Sequence, residues 1–277
     1  MILEKNSFSC CVKYIKKIDI TKIYLLCLLC LLYIQHIVYN KYSRVKPQLE
    51  IVPASFSKKT MKAFMFGDEE FYFRIKGLKV QNMGDTYARF SPLKDYDYKK
   101  LYDWFNNLDE LDKKSNYLVA MSAYYFSQTQ NVSDRIYPIL FLEKYAKRDL
   151  EHKWWWMYQA MFLSKFSLKD RDLTVRLTKY LTEHMPSTAP MWLKQLSSLY
   201  LFDAGEDCES IRVFFGILDE YNKILAEKRQ FTKREQEQLN FMSFFIKKMN
   251  EDIKTKHIDI EKCRLNYSNY QQQKEKL

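Results

Sequence analysis

The sequence predicts an all-α protein: an N-terminal transmembrane helix followed by an α-solenoid of antiparallel helix pairs. Three observations predict it. The 277 residues include only five Gly and six Pro, too few turn-formers for a barrel or sandwich of many short strands. The run 23–39 carries no formal charge over 17 residues. Beyond residue 90, apolar segments of two alternating types recur with a period of 35 to 38 residues. Hydrophobic residues make up 47% and aromatics 16%, which suits a large packed core and excludes a chain disordered throughout.

The chain divides at the apolar run. Residues 1–22 form a basic segment, 23–39 the transmembrane anchor, 40–66 a linker, 67–253 the helical repeat domain and 254–277 a polar tail. At about 1.5 Å per residue the 17 uncharged residues span roughly 25 Å, close to the lower limit for a bilayer core. Lys22 extends the span by snorkelling, and Tyr24 and Tyr39 suit the interfaces. The residues after the run, His36-Ile-Val-Tyr-Asn-Lys-Tyr-Ser43, lack the small side chains of a signal-peptide cleavage site, so the segment reads as an uncleaved anchor. Lys13, Lys16, Lys17 and Lys22 precede it; Lys41, Arg44 and Lys46 follow it. The expected arrangement is a single-pass protein of a bacterial inner membrane. The short basic N-terminus lies inside and the C-terminal domain outside the cytoplasm.

The net charge of +11 is not spread evenly. Residues 1–66 hold 11 Lys/Arg against 3 Asp/Glu, residues 254–277 hold 6 against 3, and residues 67–253 hold 28 against 28. Basic charge beside an apolar span suits anionic headgroups. A neutral folded part argues against nucleic acid as a partner.

From residue 67 onward the apolar period is helical. Asp68 caps a helix that carries Phe71, Ile75 and Leu78 on one face and stops at Gly84. Ser91-Pro92 opens the next segment, whose stripe is Leu101, Trp104, Phe105, Leu108 and Leu111. The first repeating set starts at Leu101, Ile136, Leu173 and Ile211. The second starts at Ala123, Ala160 and Ser198, each preceded by an aromatic: Tyr117, Trp154 and Trp192. A small residue at the second-set start lets neighbouring helices approach closely. Thr232-Lys-Arg-Glu235 has capping-box form and begins a last helix with Leu239, Met242, Phe245, Ile246, Met249 and Ile253 along one side.

Over residues 92–226 this pattern resembles the tetratricopeptide repeat family. Leu108-Asp-Glu-Leu-Asp112 with Ser115-Asn-Tyr117, the Met185-Pro186 and Ala189-Pro190 pairs, and Leu201-Phe-Asp-Ala-Gly205 carry the resemblance. It implies stacked pairs of antiparallel helices with a concave surface for a protein partner. The unit here is longer than the family's roughly 34 residues, and Pro138 falls near the start of one helix. From Gly67 to Gln130 the order of elements also resembles that of uncharacterised membrane-anchored proteins of alphaproteobacteria.

Chemistry-bearing motifs are sparse. Five scattered glycines build no phosphate loop or dinucleotide fingerprint, and His36, His152, His184 and His257 have no partners at metal-ligand spacing. Cys27-Leu-Leu-Cys30 lies within the apolar run and reads as filler; Cys10 and Cys11 are weak lipid acceptors. Cys208 and Cys263 are free to pair in an oxidising compartment, a pairing the sequence permits without implying. The carboxylate pairs Asp95/Asp97, Asp109/Asp112 and Asp170/Asp172 border helix ends and read as caps. No catalytic residue, metal site or cofactor is predicted.

Trp154-Trp155-Trp156 is the most conspicuous cluster. Side chains about 100° apart cannot share one helix face, so the cluster is expected to form a wide buried stripe; the alternative is that one indole, Trp156, is exposed in the groove as a binding anchor. Tyr117, Trp156 and Trp192 are the candidate partner-binding residues. The expected function is a membrane-tethered, non-catalytic scaffold or adaptor for a protein partner. The alternative is an envelope protein, including an enzyme, that binds a glycan or lipid in an aromatic pocket.

Overall fold

The computed structural model describes residues 20–42, 50–65, 67–86, 89–227 and 230–263. Two compact units emerge, Met1–Glu50 and Ile51–Leu277. In the first, helix α1 (Ile20–Tyr42) runs for 23 residues. At about 1.5 Å per residue it is roughly 34 Å long, and its Thr21–Lys41 portion is long and apolar enough to cross a membrane.

Among the described residues of the second unit the regular structure is helical, apart from one two-residue antiparallel ladder that pairs Asp85 with Phe90 and Thr86 with Arg89. Its helices are α2 (Lys58–Phe64), α3 (Glu69–Gln81), α4 (Tyr98–Asp109), α5 (Tyr117–Tyr124) and α6 (Ile136–Lys147). They are followed by α7 (Leu150–Phe162), α8 (Arg171–Glu183), α9 (Met191–Asp203), α10 (Asp207–Ala226) and α11 (Lys233–Thr255). A π-helical segment, Leu163–Leu168, prolongs α7.

The starts of α2, α3, α4, α8 and α11 follow from short polar side chains that satisfy otherwise orphaned amides. Asp68 accepts from the Phe71 amide at 2.8 Å, Asp97 from Lys100 at 3.0 Å and Asp170 from Leu173 at 2.9 Å. Thr232 and Glu235 close the capping box at α11. Pro138 occupies the third position of α6, where no intrahelical amide bond is needed, so it leaves the helix intact. Gly84 follows α3 by three residues with φ +88, a conformation that suits glycine.

Helix α3 packs on α4, consecutive helices from α5 to α11 pack on one another, and α4 packs on α6 and α5 on α7. The main core runs from Val52 to Tyr200, with Phe105 stacked on Phe141 at 5.0 Å and edge-on to Phe126 at 5.5 Å. Burying each such ring contributes roughly 2–3 kcal/mol. Ala123, Ala160 and Ser198 are buried where neighbouring helices meet. Ser198 and Ser210 exchange hydroxyl-to-carbonyl bonds of 3.1 and 2.8 Å, which satisfies both hydroxyls and brings α9 and α10 close together. A second cluster, formed by Phe202, Ile211, Phe214, Ile217, Met242, Phe245, Met249 and Ile253, seats α11 on α10.

Three expectations are corrected. The linker 40–66 is folded from Ile51 onward: Val52, Met61 and Met65 are buried, and the Trp104 indole donates to the Pro53 carbonyl at 2.7 Å. The polar tail begins late. Residues 254–263 fold back so that Ile258 and Cys263 join the second cluster, and Cys263 is bonded to Cys208 across 55 residues of sequence. The rest of the tail and the segment 1–19, with Cys10 and Cys11, lie outside the described residues. On α3 the buried side is Tyr72, Phe73, Gly77 and Val80, whereas Phe71, Ile75 and Leu78 point away from the core. Both sides of α3 are apolar, and the one with two aromatic rings and a glycine that admits close packing fits the core better.

Candidate functional site

Aromatic rings of the second unit form a connected strip along α5, α7, the π segment and α9, in which Tyr124, Trp155, Phe162, Phe166 and Trp192 are exposed, Trp154 and Tyr158 half-buried and Tyr200 buried. Tyr124 on α5 accepts a hydrogen bond from the Trp155 indole at 2.9 Å. Trp155 lies 5.9 Å from Trp154 and 5.2 Å from Tyr158. Both Trp154 and Tyr158 meet Trp192 of α9 edge-on, at 5.9 and 5.2 Å. From Tyr158 the strip continues through Phe162 and Phe166 to Tyr200, at 6.2, 4.9 and 5.9 Å. These separations fall in the range where edge-to-face and tilted pairs attract.

The trio at 154–156 divides its labour. Trp156 is 9% exposed, donates to Asn116 Oδ1 at 3.2 Å and packs near Tyr124 and Tyr145. It belongs to the interior, which corrects the alternative expectation that it is the indole exposed in the groove. Trp155, 38% exposed, is the outward one. Asn116 Oδ1 also accepts from the Tyr145 hydroxyl at 3.0 Å. Burial pushes the Tyr145 phenol up to about 12, so it stays a donor at physiological pH.

Tyr117 and Trp192, the other two sequence-predicted residues, line separate cavities that the strip connects. Tyr117 stands on Gly77, where an added Cβ would lie 3.0 Å from the ring, and its hydroxyl donates to Gln81. With Tyr96, Phe90, Tyr124 and Tyr125 it borders a cavity of about 540 Å3. Trp192 borders a second cavity of about 550 Å3, together with Met191, Phe231, Leu239, Phe241, Glu220 and Glu237. Tyr124 thus belongs to the first cavity and to the strip, and Trp192 to the strip and to the second cavity. Sequence reasoning missed the outward roles of Trp155, Tyr158, Phe162 and Phe166. Their positions are one face of a helix, but Met157 and Met161 offer an equally apolar face beside them.

Polar groups frame the strip. Lys165 lies 4.8 Å above the Tyr200 ring and pairs with Asp203 at 2.8 Å. Glu151 holds the α8–α9 loop by accepting from the Ser187 and Thr188 amides at 3.1 and 3.0 Å. The Ser187 hydrogen bonds keep this carboxylate below the usual glutamate range. The carboxylate pairs act locally as caps or ion pairs: Asp112 accepts from the Lys114 and Ser115 amides at 3.1 Å, and buried Asp109 takes a two-point bond from Arg148. Among the described residues no group of three His, Cys, Asp or Glu side chains is placed to hold a metal ion. The arrangement offers a wide apolar contact surface with hydroxyl and indole donors at its edge.

Fold and site together define an all-helical protein with one N-terminal helix suited to a membrane. No known protein family, curated protein or solved structure matches the chain.

Proposed function

We propose that this chain is a membrane-tethered, non-catalytic helical-repeat scaffold, held by α1 in a bacterial inner membrane with its second unit outside the cytoplasm. The strip of rings from Tyr124 to Tyr200 captures an apolar segment of a protein partner. The observation that carries the reading is the continuity of ring contacts across the alternate helices α5, α7 and α9, from exposed Tyr124 and Trp155 through half-buried Tyr158 to exposed Trp192. Half-exposed Trp and Tyr side chains supply most binding energy in protein interfaces because they contribute large area with little entropy to lose. The alternation of helices, with α4 on α6 and α5 on α7, supports the solenoid arrangement. The Cys208–Cys263 bridge supports placement outside the cytoplasm, since such bonds persist in oxidising compartments. Tethering raises the effective concentration of partner segments near the bilayer.

The test is affinity capture of the full chain from mildly solubilised membranes, comparing wild type with Trp155→Ala and Trp192→Ala. A stoichiometric protein is expected with wild type and to be lost at least roughly 30-fold with each variant, as for interface hot spots of ~2 kcal/mol. Retention of the partner by both variants, with helicity intact, refutes the reading. The competing one, an envelope protein holding a glycan or lipid, draws on the ring-lined cavities of about 540 and 550 Å3. Co-purification of such a small molecule in place of a protein would favour it.

A further inference from the structure

The α3 row that faces away from the core is a large apolar surface: Phe71 is 60%, Ile75 48% and Leu78 55% exposed. Basic side chains flank it. Lys79 is exposed, Arg74 is exposed and paired with Glu70 of the first turn, and Lys76 lies 5.8 Å over the ring of half-exposed Phe56. Phe56 in turn sits 6.0 Å from exposed Phe64. A helix with an apolar face and lysines at its margins is the composition of an interfacial helix, whose apolar side chains enter the headgroup boundary while the lysines remain among the phosphates.

Chain length narrows the occupant. Eight residues, 43–50, separate the end of α1 from Ile51, where the second unit begins. Fully extended they reach at most about 30 Å. Val52 and Met61 share a core with Phe73 and Val80, so α3 belongs to the part of the unit that this short tether leads into. Residues 41–66 hold six Lys/Arg and one Asp/Glu, a charge that anionic phospholipids attract. We propose that α3 is a second membrane contact: Phe71, Ile75 and Leu78 insert at the surface of an anionic bilayer, and Lys76 and Lys79 engage lipid phosphates. The inference rests on α1 as a membrane anchor. Docking would add a second attachment to the bilayer beside α1.

The experiment places p-benzoyl-phenylalanine singly at Phe71, Ile75 or Leu78 of the full chain, photolyses native membranes and identifies adducts by mass spectrometry. Phe241 and Phe244, exposed on α11, are the control positions. Lipid adducts on α3 are expected at several times the control yield. Lys76→Glu with Lys79→Glu should lower that yield severalfold, since each basic residue near an anionic surface changes partition roughly fivefold. Adducts on α3 with another protein or with this chain itself, or lipid yields equal to those at Phe241 and Phe244, overturn the proposal. An alkaline carbonate wash of the same membranes separates the two readings. Release of the chain refutes the anchor, and with it the inference; retention without lipid adducts on α3 refutes the inference alone.

Discussion

Replacing Cys208 and Cys263 with alanine opens a covalent ring that spans 55 residues of sequence and contains most of α10 and all of α11. In the chain-entropy account, closing a ring of this size removes denatured-state freedom equivalent to about 4 kcal/mol, with measured bridges usually giving 2–5 kcal/mol. The effect should be regional. Helix α11 is seated chiefly through Met242, Phe245, Met249 and Ile253 on Phe202 of α9 and Ile211, Phe214 and Ile217 of α10, with Phe214 and Phe245 6.1 Å apart. The bridge fastens the far end of that contact. Without it, α11 can detach while the core from Val52 to Tyr200 stays closed. Amide exchange over 233–255 should accelerate between roughly 30-fold and 700-fold, the ratios that ~2 and ~4 kcal/mol produce. Exchange over 98–109 should hardly change. Hydrogen–deuterium exchange with peptide resolution on the reconstituted chain measures both, with and without reductant. Equal exchange over 233–255 in the variant and the wild type would refute the regional argument. Recovery of two free thiols from protein taken directly out of cells would remove the support that the bridge lends to an oxidising compartment.

Three further outcomes follow from the described contacts. Gly84→Ala forces a Cβ into a positive-φ site against the Tyr96 hydroxyl, which itself donates to the Met83 carbonyl, and should cost at least about 2 kcal/mol in urea denaturation. Adding Tyr96→Phe should restore part of that loss. Glu143 and Asp109 should give opposite pH dependences. Burial raises both carboxyls, but hydrogen bonds from Arg176 and Lys147 bring Glu143 below its usual range, while Arg148 leaves Asp109 above its own. Glu143 therefore stabilises the fold above its unfolded-state pKa, and the contribution is lost as pH falls through the depressed folded value. The Asp109 contribution is present below its unfolded pKa and is lost as pH rises through the raised folded value. Denaturation midpoints of Glu143→Gln and Asp109→Asn against pH should diverge from wild type with opposite slopes. Thr232→Ala removes the capping box of α11 and should lower stability by about 1 kcal/mol, read as an earlier thermal melt.

Local chemistry made the helix starts legible. Asp68, Asp170 and Thr232 cap because a short oxygen side chain one turn ahead of an apolar period has few other roles, and no distant contact is needed to recognise it. Helix α4, by contrast, was expected to open at Ser91-Pro92 and begins only after Asp97, because Pro92 leads into the short 3-10 turn Leu93–Asp95. The spacing of small residues likewise picked out Ala123, Ala160 and Ser198, all of them buried, and Ser198 lies at a close contact with Ser210 of the next helix. What failed was choosing between two apolar faces. Phe71, Ile75 and Leu78 have the period of a core stripe, as do Phe73, Val80 and the ring of Tyr72. Only the neighbours decide which set is buried. Trp155 and Trp156 pose the same choice one residue apart. The first part of the linker failed for another reason: α2 is seven residues long, and its single buried methionine, Met61, leaves no period to read. The Cys208–Cys263 bond depends on a chain reversal after α11 that no local signal announces.

The π segment after α7 sets the spacing of the aromatic strip through the backbone. Its wider turn ends at Lys169, which takes left-handed angles with φ 59. Within it Leu163 and Ser164 remain buried, while Phe162 and Phe166 emerge 4.9 Å apart on the outer side. Replacing any one ring would remove that ring and leave the others in place. Deleting a single residue between Leu163 and Leu168 would instead turn everything before it by about 100° relative to α8 and α9. Trp155 and Tyr158 would then rotate out of line with Trp192. The surface is consequently more tolerant of changes in composition than of changes in length, and its weakest point lies in a segment where most of the side chains are not aromatic.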